Sequence, residues 1–395
     1  MSILVVNAGS SSIKLALFDF ESLGSHVRGL LEWGSTESEA TLELTSLEGE
    51  TVCHRLTVSD HEEAVVAALG VMGADRSSVR AVGHRLIHGG EEIREPVLID
   101  DRVKEVIARY RDLAPLHIPA GLEAIGGTEA ALPGVPQVGV FDTGFFGNLP
   151  PAEYLYPVPY EWYESWGIRR YGFHGISHSY CAGRAAEMLA GYASSSRLIL
   201  CHLGQGCSAT AVRDGVAITN SLGYTSLEGL PMGTRCGSID PGVLLHVQRQ
   251  HGLSHEELSE VLNKRSGLLG LSGVSSDFRE IEAAAAGGNE RARLAVDVFV
   301  QRVRGLIGSL AVTLGDVDAL VFAGGIGENS AGLREAVCWG LGCIGVELDR
   351  DANRSHGPDF DVASADSRAR VLLIHSREDL MIAGETRRIV REFQL

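Results

Sequence analysis

Short apolar runs parted by glycine and serine turns open the chain: Ile3-Leu-Val-Val6, then Asn7-Ala-Gly-Ser-Ser-Ser12, then a second run over 13–18. Two strand-like runs around turn residues predict a β-hairpin. Alternation along it sets Ser10, Ser12 and Lys14 on one face and Ile13, Leu15 and Leu17 on the other. The pattern returns as Leu198-Ile-Leu-Cys201, His202-Leu-Gly-Gln-Gly-Cys-Ser208, an apolar run over 209–212 and a turn at Asp214-Gly215. Gly9 and Gly204 hold matching places, which predicts a duplicated fold whose halves each begin with a strand–turn–strand unit. Helices are expected over 60–72, where Asp60 caps and Glu63 follows three residues on, and over 101–113 and 177–192. Ser254 with Glu257 caps another. Val298, Phe299, Val303, Leu306, Ile307 and Leu310 keep the 3–4 spacing of one buried face of a long helix. A buried strand over 317–322 runs into the turn Ala323-Gly-Gly-Ile-Gly-Glu-Asn329, and a last helix covers 376–393. The alternation of strands and helices reads as an α/β protein.

A chain of 395 residues suits two domains, with the boundary in the loop Gly147-Asn-Leu-Pro-Pro151. The net charge of −17 argues against nucleic acid or an acidic membrane surface as partner, because no basic patch offsets it. Anionic substrates must then be held by a few placed cations. The first twenty residues have neither a basic region nor a long apolar stretch, so no signal peptide is expected, and no segment has the length of a membrane span. Seven scattered cysteines (53, 181, 201, 207, 236, 338 and 343) read as reduced thiols in the core of a cytoplasmic protein.

No Walker-type GxxxxGK[ST] loop occurs, and the three lysines, 14, 104 and 264, lie outside any such loop. The two glycine-containing hairpins and the GGxG turn can each point backbone N–H groups at an anion. Ser10, Ser12 and Lys14 on one face suit a phosphate cradle, although a plain serine-rich hairpin gives the same pattern. Val82-Gly-His-Arg-Leu-Ile-His-Gly-Gly90 reads as a buried strand entering a glycine turn. There Arg85 offers a guanidinium for a carboxylate beside the apolar Ile87, or forms a structural ion pair with a nearby acid. Asp142 ends a strand in Val140-Phe-Asp-Thr-Gly144, a common place for a metal-binding or catalytic carboxylate. His174, in Tyr171-Gly-Phe-His-Gly-Ile-Ser-His178, precedes a helix and suits either a phosphoryl-directed donor or a satisfied core histidine. Met232-Gly-Thr-Arg235 adds a second arginine in a glycine-bounded loop.

Asn7-Ala-Gly-Ser-Ser-Ser-Ile-Lys14 and His84-Arg-Leu-Ile-His-Gly-Gly90 resemble the two signatures of the acetate kinase family. Ala114-Pro-Leu-His117, Phe141-Asp-Thr143, Tyr171-Gly-Phe-His-Gly175, Leu227-Glu-Gly-Leu230, Met232-Gly-Thr-Arg235, Ser266-Gly-Leu-Leu-Gly270, Ser275-Ser-Asp277 and Gly324-Gly-Ile-Gly-Glu-Asn329 follow in family order. Phe146, Ile118, Gln205, Thr219 and Ser226 depart from the usual family residues. The resemblance implies the duplicated two-domain acetate and sugar kinase, Hsp70 and actin superfold with an interdomain cleft. It implies an N-terminal domain over 1–147, joined by a C-terminal helix of about 380–395, and a nucleotide-binding domain over 148–379. It also implies reversible transfer of the ATP γ-phosphate to acetate, or propionate, giving acetyl phosphate and ADP.

Carried over by position, Asn7, Arg85, Asp142, His174 and Arg235 would be catalytic, with Asn7, Asp142 and Glu378 serving Mg²⁺ or Mn²⁺. Glu378 also suits simple helix-dipole compensation in the first turn of the last helix. The nucleotide would meet Ser10, Ser12, Lys14, His202, Gly204, Gln205, Gly206, Asp277, Phe278, Arg279, Gly324, Gly325, Ile326, Gly327 and Asn329. Ile87, Leu116, Phe173 and Ser226 would wall the alkyl end of the acid. The family further implies a cytoplasmic homodimer. Rival readings are a propionate or butyrate-type kinase, a sugar kinase, and a non-catalytic nucleotide sensor on the same superfold.

Overall fold

The computed structural model describes residues 1–9, 11–33, 39–75, 77–115, 117–190, 196–355, 357 and 359–394. The expectations placed on Ser10, Leu116 and Tyr192 lie outside them. The chain forms two compact units, one of Met1–Gly147 with Arg377–Leu395 and one of Asn148–Ser376.

In the first unit, strands β1 (Ser2–Ala8), β2 (Ser12–Asp19), β3 (Ser25–Trp33), β4 (Glu39–Ser46), β5 (Thr51–Thr57), β6 (Val79–Leu86), β7 (Val97–Leu98) and β8 (Gln137–Phe141) form one sheet. Their order is β5-β4-β3-β2-β1-β6-β8-β7. In the second unit, β9 (Arg197–Leu203), β10 (Cys207–Arg213), β11 (Val216–Asn220), β12 (Ala319–Ala323), β13 (Phe360–Asp361) and β14 (Arg370–Leu373) run in the order β11-β10-β9-β12-β14-β13. One plan recurs. An antiparallel meander, β1/β2/β3 or β9/β10/β11, continues into two strands parallel to its first, β6 and β8 or β12 and β14. Parallel strands are covered on both faces and need apolar residues throughout, which is why Ala-Leu-Val-Phe-Ala of β12 is buried at every position.

Two contacts fix the first unit around its central strand. The helix Glu378–Glu392 lies so close to β6 that a Cβ on Gly83 would stand 2.2 Å from Thr386 Oγ1. Gly90, at φ +64°, leaves space that Tyr110 fills, since a Cβ there would stand 2.1 Å from the tyrosine hydroxyl.

Several local expectations shift. The helix expected over 101–113 stops at Arg109, where Tyr110 turns under Gly90 and His88, and a 3-10 turn covers Arg111–Leu113. The helix expected from Ser177 starts at Gly175, because His174 takes a left-handed φ of 61° as its N-cap. Gly324–Asn329 is a short helix and not a turn. The long helix Glu290–Leu314 buries Phe299, Val303, Ile307 and Leu310 but leaves Val298 and Leu306 half-buried. Cys53 and Cys343 are exposed, so the expectation of core thiols fails for both; Cys181, Cys201, Cys207 and Cys338 are buried. No helix among the described residues is long and apolar enough to cross a membrane.

Candidate active site

In the first unit the central strands end together. Asp142 follows β8 and donates its backbone N–H to Leu86 O at 2.8 Å, which sets its carboxylate beside Arg85 on β6. Arg85 Nη2 and Nε donate to Asp142 Oδ2 at 2.7 and 3.2 Å. Arg85 Nη1 reaches Asn7 Oδ1 at 3.4 Å and Glu378 Oε2 at 3.7 Å. Asp142 is 1% exposed and Arg85 23%, so the buried end of the guanidinium is committed while Nη1 holds longer contacts. Burial alone would lower the arginine pKa, but the charges of Asp142 and Glu378 outweigh it and raise it. Glu378 comes from the first turn of the last helix, which packs on β6 at Gly83.

The adjoining loops are tied to one another. Gly89 N–H donates to Thr143 Oγ1 at 3.1 Å, joining the His-Gly-Gly turn to the Phe-Asp-Thr turn. His88 is fully buried, stacked on Tyr110 at 4.7 Å, and accepts from Gly90 N–H at 2.9 Å. Beside Arg85 opens a cavity of about 150 Å³ whose apolar wall is Leu86, Ile87, Ile107 and Ile118, with Ser12, Lys14 and His117 on its polar side.

The second unit carries a separate cluster. His174 Nδ1 lies 2.9 Å from Ser208 Oγ, and His178 Nε2 lies 2.7 Å from the same oxygen. The His202 ring packs 4.7 Å from that of His174, with its Nδ1 2.7 Å from Ser177 Oγ. Burial first, and the neighbouring His202 second, hold the His178 pKa well below the usual histidine value. Arg235 Nη1 donates to Ser226 O at 2.8 Å, and burial draws the arginine pKa down. A Cβ on Gly206 would stand 3.0 Å from both Arg235 Nη2 and His174 Nε2, so two side-chain nitrogens converge over a glycine backbone. Phe173 is buried, its N–H donating to Asn220 Oδ1 at 3.4 Å.

The remaining residues expected at the nucleotide are in this unit. Gly204 N–H closes the hairpin onto Gly206 O at 3.0 Å. Gln205 turns to the neighbouring loop, its amide donating to Ser276 O at 3.3 Å. Asp277 caps the helix Phe278–Ala286 and pairs with Arg279 at 2.6 Å, whose side chain is 86% exposed. Phe278 packs into the core 5.6 Å from Phe299. Gly324, at φ +77°, passes so near β9 that a Cβ would stand 2.7 Å from Leu203 O. Asn329 Nδ2 donates to Gly325 O at 2.8 Å, and Ile326 and Gly327 lie within the same short helix.

A family model described as the Acetokinase family matches residues 2–384. The chain belongs to the acetokinase family. An acetate kinase of Nostoc sp. is 46% identical over 401 residues, covering 98% of this chain and 98% of that protein. The crystal structure of Porphyromonas gingivalis acetate kinase superposes with a TM-score of 0.92 at 41% identity, covering 98% of this chain and 99% of that one. A propionate kinase from Francisella tularensis gives 0.91 at 37% identity, covering 98% and 99%. With these neighbours, the two-sheet α/β chain takes the duplicated fold of the carboxylate kinases.

Some residues built into these acetokinase-family loops escaped the sequence reading. His178 had a signal, since it stands four residues after His174 on one helix face. Ser208 had none, because its contacts with His174 and His178 join residues 34 and 30 positions apart in the chain. Glu328 accepts from Gly324 N–H at 2.9 Å and Ser376 N–H at 3.2 Å, and pairs with His375 at 2.6 Å. Burial would raise its pKa, but these bonds prevail and lower it.

Proposed function

We propose that the protein is an ATP-dependent acetate kinase, moving the γ-phosphoryl group reversibly to acetate, and to propionate, with ADP and an acyl phosphate as products. The observation that carries this reading is Arg85, held by Asp142 and Glu378 beside a small cavity with an aliphatic wall. A guanidinium with one edge committed and the other loosely held suits an incoming carboxylate, and the wall suits a short alkyl end. A carboxylate is ionised at neutral pH and needs no general base. The chemistry then rests on in-line positioning and on neutralising the phosphoryl oxygens. His174 Nε2 and Arg235 Nη2, converging over Gly206, are the donors assigned to those oxygens. Ser12 and Lys14, His202 and the turn Gly204 to Gly206, and Asp277, Arg279 and the segment Gly324 to Asn329 are assigned to the nucleotide.

The donor set of Asn7, Asp142 and Glu378 is two carboxylates and one amide oxygen gathered on Arg85. Hard oxygen donors, few in number and completed by substrate phosphates, suit Mg²⁺ or Mn²⁺. Those three residues would hold the ion, and when bound it would offset charge on the phosphates. The proposal includes a homodimer, on the family resemblance.

Ile87, Leu116, Phe173 and Ser226 are assigned to the acid's alkyl end, with Leu116 outside the described residues. Serine at 226 gives less bulk than a proline ring would. One methylene in such a pocket is worth about 1–3 kcal/mol. Acyl-hydroxamate formation across acids from formate to valerate should give acetate and propionate kcat/KM values within about tenfold of one another, with butyrate clearly lower. Ser226→Pro should move the ratio toward acetate. Butyrate equal to acetate would refute this pocket assignment, and no hydroxamate from any acid would refute the function.

A further inference from the structure

Ser208 is fully buried and its single hydroxyl lies within hydrogen-bond reach of a nitrogen on each of two histidines, His174 Nδ1 at 2.9 Å and His178 Nε2 at 2.7 Å. One hydroxyl brings one proton and two lone pairs, so His174 Nδ1 either donates to Ser208 or accepts its proton. If His174 Nδ1–H donated to Ser208, neutral His174 would present the lone pair of Nε2 on the side it shares with Arg235 Nη2 over Gly206. A lone pair there would repel phosphoryl oxygens. In the other case His178 Nε2–H donates to Ser208 Oγ, and the Ser208 hydroxyl donates to His174 Nδ1. The His174 proton then sits on Nε2, next to the arginine.

We propose that Ser208 and His178 are positioning residues that lock His174 in its neutral Nε2–H form, making it a fixed hydrogen-bond donor to the group being transferred. This rests on the reading of His174 as a phosphoryl-directed group. The scaffold suits the task. His174 and His178 are one turn apart at the start of the helix Gly175–Met188, and the left-handed backbone of His174 fixes the ring's origin. Ser208 stands on β10, fixed by register opposite His202, and the His202 ring backs that of His174 at 4.7 Å. Ser177 holds His202 Nδ1 at 2.7 Å and meets Ser376 at 2.7 Å, so the backing ring is itself oriented. His178 is 1% exposed, and burial disfavours its charged form, which leaves it as the neutral donor the chain of bonds requires. Orienting partners of this kind set the tautomer of a working imidazole without touching the substrate.

The test has two arms. The full-length protein, labelled with ring-¹⁵N histidine and with His174 assigned by signal loss in His174→Asn, should show at neutral pH a neutral His174 protonated at Nε2. A proton on Nδ1, or on both nitrogens, would overturn the proposal. In the second arm Ser208→Ala should lower kcat by about 10–100-fold with both KM values within about twofold of wild type, and Ser208→Thr should recover most of the loss. An unchanged kcat in Ser208→Ala, or a loss confined to KM, would equally overturn it. Should Ser208→Ala fail to fold, the wild-type spectrum decides alone. The spectrum needs no turnover, so it stands even if wild type makes no acyl phosphate, an outcome that would refute the function and not the tautomer.

Discussion

On the proposed reading Arg85 does two jobs, and substitution separates them. Its guanidinium pairs with Asp142, which is 1% exposed, and truncation would remove that ion pair from a buried carboxylate. Breaking such a pair from one side costs about 3–5 kcal/mol. Arg85→Ala should therefore lose stability as well as activity. Arg85→Lys keeps the charge but loses the planar fork that reaches Asp142, Asn7 and Glu378 together. Its melting temperature should stay closer to wild type than that of Arg85→Ala, while kcat/KM falls by on the order of 10²-fold or more. Differential scanning calorimetry beside steady-state kinetics checks both, and a lysine variant with wild-type kcat/KM would remove Arg85 from the chemistry. Of the two sequence readings of Arg85, the ion pair with a nearby acid is present, with Asp142, and the kinetics of the lysine variant test the other.

At the scale of elements, hairpins and strand ends carry the candidate groups, and glycines mark where the backbone must be bare. Gly206 is the sharpest case. The atoms 3.0 Å from where a Cβ would stand are the ends of two side chains, His174 Nε2 and Arg235 Nη2, so a methyl there can be accommodated by moving them. Gly206→Ala should leave the melting temperature nearly unchanged and cost on the order of 10²-fold in kcat/KM, the penalty of a misplacement of about 1 Å. Unaltered kinetics would mean that the two donors do not act where they converge. Much at this scale was legible. The strand–turn–strand repeat, the buried β12 and the Ser254–Glu257 capping box are local patterns with local causes, and each is present. What escaped depends on contacts between distant segments. Tyr110 ended a helix early because Gly90 made room for it. Gln205 turned to Ser276, and Glu378 met Arg85 only because the last helix packs on β6 at Gly83.

Across the whole molecule the duplication is the main legible fact. Each unit repeats a meander followed by two parallel strands, and each places a glycine hairpin at the end of its first strand pair. The two units differ in what they add. The first adds two carboxylates around an arginine beside an aliphatic cavity, and the second adds histidines and an arginine over a glycine turn. On the proposed reading the first set would serve the carboxylate and the second the phosphoryl group. The net charge of −17 makes these few placed cations matter more, since the overall field repels anions. The most direct measurement of the central claim is ³¹P NMR of purified protein with ATP, acetate and Mg²⁺. Acyl phosphate and ADP should accumulate together, and the signal should be lost when EDTA removes the metal or when Asp142→Asn replaces wild type. ATP that stays intact, or that yields only inorganic phosphate whatever acid is present, would contradict the account.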